Sequence, residues 1–132
     1  MNVLPGSIQS IQTHGNLTLV KVRVSGLVFT SIIIETPETA GYLQEGAKVR
    51  VMFKETEVII SRNDLNISLQ NRIPARITAI KEGQLLSQLT LQYHDHFIGS
   101  IITSNAVRQL QLSIGIDVVA MIKTNEIMLS EE

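Results

Sequence analysis

Val49-Arg50-Val51-Met52-Phe53-Lys54-Glu55-Thr56-Glu57-Val58-Ile59-Ile60-Ser61 and Val118-Val119-Ala120-Met121-Ile122-Lys123-Thr124-Asn125-Glu126-Ile127-Met128-Leu129-Ser130 are two copies of one segment, 69 residues apart. The first copy alternates at Val49-Arg50-Val51, the second is apolar from Val118 to Ile122, and each breaks at a lysine and resumes as a short apolar run. Strict alternation is the mark of a half-buried strand. The same offset extends without a gap to the start of the chain. Asn2 meets Asn71, Pro5 meets Pro74, Ile8 meets Ile77, Ser31-Ile32-Ile33 meets Ser100-Ile101-Ile102, and Gly46 meets Gly115. A fixed period is settled first because it sets the architecture. This one is too long for a solenoid unit and suits a small β module.

The repeat divides 132 residues into a first module (1–62), a segment 63–70 that is a linker or a crossing strand, and a second module (71–132). In the first, Val20, Val22 and Val24 alternate with Lys21 and Arg23, and Val28 to Ile34 is a β-branched run. Pro37 to Leu43 reads as a short helix stopped by Gly46. The second follows the same plan, with strands at Ile77 to Lys81, Leu85 to Tyr93 and Phe97 to Thr103. Its short helix spans Asn105 to Leu112. His94-Asp95-His96 forms a hairpin tip, and Val118 to Ile122 and Ile127 to Leu129 finish the module. The expectation is an all-β chain of two tandem OB-like barrels, each five-stranded and each with one short helix.

Composition narrows the function. Modules of about 60 residues are marginal alone, and with no cysteine neither disulfides nor thiolate metal sites support them. Apolar residues make up 44% against 17% charged, a surplus that points to subunit contacts and a homo-oligomer. A net charge of −1 and a pI near 6.3 disfavour nucleic acid. Two tyrosines, three phenylalanines and no tryptophan make a poor base-stacking platform. No signal peptide or membrane-length apolar run occurs, so the expected location is the cytoplasm.

No catalytic constellation appears: there is no nucleophile elbow, no S-x-x-K and no P-loop. His14, His94 and His96 read as turn residues rather than metal ligands, and no metal site is expected. The informative segments are polar and flank strands at matching places in the two copies. Ser68, Gln70 and Asn71 enter the second module, and Thr103 and Ser104 start its helix. Lys123 and Asn125 lie between its last strands, with Lys54 as the first copy's counterpart of Lys123. Hydroxyls, amides, a helix N-terminus and a lysine are suited to an oxyanion. The same residues also serve as a helix cap and a solvated turn.

At these positions the chain resembles the Mop repeats of the molbindins, the molybdate-binding members of the TOBE group. The family's entry motif, S-A-R-N followed by two or three residues and Gly or Ala, is similar to Ser68-Leu69-Gln70-Asn71-Arg72-Ile73-Pro74-Ala75, with Gln70 in place of the arginine. Its middle block, an apolar strand, a threonine and a helix ending L-x-L-x-x-G, resembles Ser100 to Gly115. Its closing block resembles Val118 to Asn125 and Val49 to Thr56.

The resemblance implies a ring of OB-like barrels, a trimer of this chain, with oxyanions held at contacts between modules. It places Ser68, Asn71, Thr103 and Lys123 around molybdate, with tungstate as a second candidate. The implied role is storage or homeostasis without catalysis. The alternative is a docking or regulatory module related to the tails of molybdate-transporter ATPases. Ile34 stands where the first copy wants the threonine, so the first copy's site is expected to be the weaker.

Overall fold

The computed structural model describes residues 1–132. Its strands are β1 (Asn2–His14), β2 (Leu17–Val24), β3 (Leu27–Ile33), β4 (Lys48–Phe53), β5 (Ile59–Ser61), β6 (Asn71–Glu82), β7 (Leu86–Tyr93), β8 (His96–Thr103), β9 (Asp117–Ile122) and β10 (Met128–Glu131). One helix, α1 (Ser104–Gln109), follows β8. Two five-stranded sheets result, in the orders β10-β4-β1-β2-β3 and β5-β9-β6-β7-β8. All-β, OB-like architecture is thus present in both copies.

The last strand of each repeat joins the sheet of the other. β5 pairs with β9, and β10 pairs with β4. One compact unit therefore comprises residues 3–53 and 123–132, and the other residues 1–2 and 54–122. Local geometry explains why β4 does not fold back into a hairpin with β5. Lys54 (φ −78°, ψ 148°) and Val58 (φ −89°, ψ 116°) are both extended and flank one 3₁₀ turn, Glu55–Glu57. The second copy repeats this, with extended Lys123 and Ile127 around Thr124–Glu126. The chain is carried onward at both places.

In the unit built on residues 3–53, β1 loses register between Ile8 and Ser10. In the other, β6 does so between Ile77 and Ala79, the matching place. Such a bulge bends a strand and lets its two halves serve different partners. Asn71 to Arg76 pair with β9, and Arg76 to Glu82 with β7. The bulge also receives the loop before the fourth strand. Gly115 N–H donates to the Ile77 carbonyl (2.8 Å), and Gly46 N–H donates to the Ile8 carbonyl (2.8 Å). Both glycines have positive φ, 95° and 85°, a conformation costly for other residues.

Each sheet is tied end to end by a serine. The Ser31 hydroxyl on β3 donates to the Ile127 carbonyl (2.8 Å), at the entrance to β10. The Ser100 hydroxyl on β8 donates to the Val58 carbonyl (3.1 Å), at the entrance to β5. Both serines are fully buried. The core of the first unit is Val20, Val22, Val49, Val51 and a stacked Phe29–Phe53 pair (6.3 Å between centroids). The core of the other holds Ile98 and Ile122 at the phenylalanine positions, with Ile73, Ile77, Leu89 and Leu91. Its hairpin tip is His94-Asp95 alone, because His96 pairs with Tyr93.

One expectation is corrected. Residues 37–43 form hydrogen-bonded turns instead of a helix; only Ala40 N–H to the Thr36 carbonyl (2.8 Å) spans a helical turn. α1 has Thr103 as its cap, whereas Ile34 at the matching position has no side-chain acceptor. Pro37 and Gly41 then replace Ala106 and Leu110, removing a donor and adding backbone freedom. Tyr42 packs in this turn region, and its phenol is pushed above the usual range by burial and by the carboxylates of Glu35 and Glu131. The segment 63–70, expected as a linker or a crossing strand, is irregular, with neither helix nor strand.

The two serine ties give a direct test. Ser31→Ala or Ser100→Ala leaves a buried carbonyl without its donor, a loss of about 1–3 kcal/mol. Urea denaturation should show this destabilisation for each variant, with the β-sheet circular dichroism of the folded state unchanged.

Candidate functional site

Lys54 and Lys123 occupy the same place in their repeats, immediately after β4 and β9 and before a 3₁₀ turn. The turn fixes the backbone: Glu57 N–H donates to the Lys54 carbonyl (3.0 Å), and Glu126 N–H to the Lys123 carbonyl (3.1 Å). The Lys54 N–H is held by the Glu57 carboxylate (3.3 Å). Both lysine side chains are exposed, and neither has a carboxylate within salt-bridge distance. An ammonium without an ion-pair partner is accessible to a ligand. Glu55, beside Lys54, accepts a 2.7 Å hydrogen bond from the Met1 amino group. That bond and its own backbone N–H hold its carboxyl below the usual range.

Asn71 opens β6 opposite Ile122, the residue before Lys123, and is buried. Its counterpart Asn2 shows what this position does for the fold. The Asn2 side-chain amide donates to the Gly99 carbonyl (2.9 Å), and Gly99 N–H donates to the Asn2 carboxamide oxygen (2.7 Å). The carboxamide behaves as a strand residue laid on the edge of β8. A Cβ at Gly99 would lie 3.1 Å from the Glu55 side chain and at an ordinary 3.7 Å from the Asn2 carboxamide oxygen. Sequence reasoning passed over Asn2, although the Asn2/Asn71 identity in the repeat was the signal.

Thr103 and Ser104 diverge in role. Thr103 caps α1, its hydroxyl accepting from Ala106 N–H (3.1 Å), and stays exposed. Ser104 is fully buried; its hydroxyl donates to the Gly83 carbonyl (2.6 Å) and lies 2.8 Å from the Ser87 hydroxyl. A ligand could engage Ser104 only by opening that pair. Ser68 and Gln70 are exposed on the irregular segment before β6, and Asn125 is exposed in the second 3₁₀ turn. Lys54, Ser68, Gln70, Asn71, Thr103 and Ser104 belong to one compact unit, and Lys123 and Asn125 to the other.

Arg62 and Arg72 flank the irregular segment and were not singled out from the sequence. Arg62 donates to the carbonyls of Leu110 (2.8 Å) and Gln111 (3.3 Å), just past α1. Arg72 holds four acceptors between residues 64 and 69. Their roles depend on distant carbonyls, which no local motif announces.

A groove of about 510 Å3 crosses β6, β7 and β9, lined by Arg62, Arg76, Gln92, His94, Asp117 and Val119 among others. It includes none of the eight candidate residues, and Arg76 is already paired with Asp117 (3.1 Å). The candidate residues lie on the polar segments outside this groove. No group of three histidine, aspartate or glutamate side chains converges in the chain. No helix is long and apolar enough to cross a membrane.

Residues 67–129 match the family model described as the TOBE domain. No curated protein matches the chain in sequence. Among solved structures, the chain is similar to the cytoplasmic molybdate-binding protein ModG in a crystal form with molybdate bound. The two share 21% identity over 99% of this chain and 96% of that one, with a TM-score of 0.93. At that identity the likeness establishes the fold.

The cap assignment has a measurable consequence. Thr103→Ala should destabilise the chain by about 1 kcal/mol through α1 alone. Thr103→Ser, which keeps the oxygen, should restore most of the urea midpoint.

Proposed function

We propose that this chain, in which residues 67–129 are a TOBE domain and residues 2–61 repeat the same module, binds molybdate in the cytoplasm for storage or homeostasis. The carrying observation is the near-complete overlap of its fold with that of a protein crystallised with molybdate bound. Tungstate, of the same charge and shape, is the second ligand. The role is binding, without catalysis.

The residues divide the work by chemistry. Lys123 and Lys54, exposed and free of ion pairs on rigid turns, supply compact positive charge. Ser68, Gln70, Asn125 and Thr103 are exposed polar groups able to donate to oxyanion oxygens. Asn71 and Ser104, both buried, support the entry strand and the start of α1 around them. Selectivity against sulfate rests on the size of the site, since the anions share charge and tetrahedral shape.

A ring, specifically a trimer, is the proposed assembly. The supporting observation is that the exposed apolar positions recur in both copies: Leu17 with Leu86, Val28 (43% exposed) with Phe97 (60%), and Ile59 with Met128. Scattered surface apolar residues are ordinary. A set preserved at matching positions of two diverged repeats fits a surface each module presents to further copies. Light scattering should give the mass of three chains, and Val28→Glu combined with Phe97→Glu should reduce it to one.

A second reading, a docking module that binds no anion, is favoured by one feature. Gln70 replaces the motif arginine and removes a permanent bidentate charge. Titration calorimetry decides between the two. A hydrogen bond to a charged group contributes about 1.5–3 kcal/mol. Lys123→Ala should therefore weaken molybdate binding roughly ten- to a hundredfold. Lys54→Ala should have a smaller effect, because Ile34 replaces threonine in its repeat, and Gln70→Arg should tighten binding. Absence of molybdate and tungstate binding by the unaltered chain leaves the docking reading standing.

A further inference from the structure

The segment Arg62 to Gln70 has neither helix nor strand, yet its carbonyls converge on one side chain. Arg72 Nε donates to the Leu69 carbonyl (3.0 Å), and one terminal nitrogen donates to the Ile67 carbonyl (2.8 Å). The other donates to the Leu65 carbonyl and to the Asp64 carboxylate (2.5 Å). Irregular backbone must find partners for its polar groups, and here carbonyls 65, 67 and 69 find them in a single guanidinium.

The base of that side chain is fixed. Arg72 pairs with Met121 in the sheet, between buried Asn71 and Ile73. At the far end, Arg62 holds the Leu110 and Gln111 carbonyls, and the Ser61 hydroxyl donates to the Asn63 carbonyl (2.5 Å). The segment is thus pinned at both ends, and Ser68 and Gln70 stand exposed among the pinned residues.

We propose that Arg72 is a positioning residue for the oxyanion site, holding residues 64–69 in one conformation so that Ser68 and Gln70 are presented preformed. This rests on the molybdate-binding reading above. The guanidinium is committed to three carbonyls and a carboxylate, so it acts through Ser68 rather than by touching the anion. Its planar fork carries five donors. Lysine keeps the charge, but its three donors sit on one nitrogen, which cannot span the four acceptors. Without the fork, ordering the segment becomes a cost of binding.

The test uses the full chain as wild type, Arg72→Lys, Ser68→Ala and the double variant. Amide hydrogen exchange over residues 64–70 without ligand is one readout, and molybdate affinity by calorimetry is the other. Arg72→Lys should accelerate exchange in the segment and weaken molybdate binding about tenfold. Ser68→Ala should weaken the wild type but add little to Arg72→Lys, since effects through one contact are not additive. Unchanged exchange in Arg72→Lys overturns the proposal. Faster exchange with unchanged affinity, or additive losses in the double variant, overturns it equally. A wild type that binds neither molybdate nor tungstate overturns the functional reading and the ligand step of this proposal. The exchange measurement then still decides whether Arg72 orders the segment.

Discussion

Each five-stranded unit is closed by a strand that the other repeat supplies, and the rest of the structure follows from that constraint. A β module of this size buries too little surface to be secure by itself. Unpaired strand edges add a further liability. Here the edges of β4 and β9 are covered by β10 and β5. The ends of each sheet are then tied by the buried hydroxyls of Ser31 and Ser100. Because the ties accept at Ile127 and Val58, the residues leading into the exchanged strands, closure and exchange are one device. The lysines that begin the crossings, Lys54 and Lys123, are placed by the same device.

The repeats have diverged where the fold tolerates it. The bulges at Ile8 and Ile77 and the positive-φ glycines 46 and 115 persist in both copies. Helix α1 persists in only one. Its cap, Thr103, is replaced by Ile34 in the first copy, and proline and glycine follow. Without a cap and with a donor removed, a six-residue helix has too few bonds to offset its nucleation cost. Loss of this helix leaves the first copy's polar segment built on turns.

Much of the candidate site was legible as residue type and spacing, and little of it as availability. Lys54 and Lys123 were read from the sequence as equivalent, and they are so in backbone, exposure and lack of ion pairs. Thr103 and Ser104 look alike in sequence but differ completely in accessibility, because Ser104 spends its hydroxyl on Gly83 and Ser87. The arginine contrast is sharper still. The motif position holds Gln70, and the guanidinium that organises this segment comes from Arg72, reaching back to residues 64, 65, 67 and 69.

By itself the sequence determined the duplication, which is written in its residues, and the all-β class and strand faces, because alternation is a local property that side-chain chemistry imposes on backbone. It also carried the equivalence of the two lysine turns. Only the tertiary structure decided which sheet receives each last strand, whether residues 37–43 coil into a helix, and which polar side chains remain free. Those outcomes depend on partners far along the chain: Ser100 with Val58, Asn2 with Gly99, Arg62 with Leu110. A hydrogen bond between residues so distant leaves no periodic trace in the sequence, since its energy is realised only after the strands have found their places.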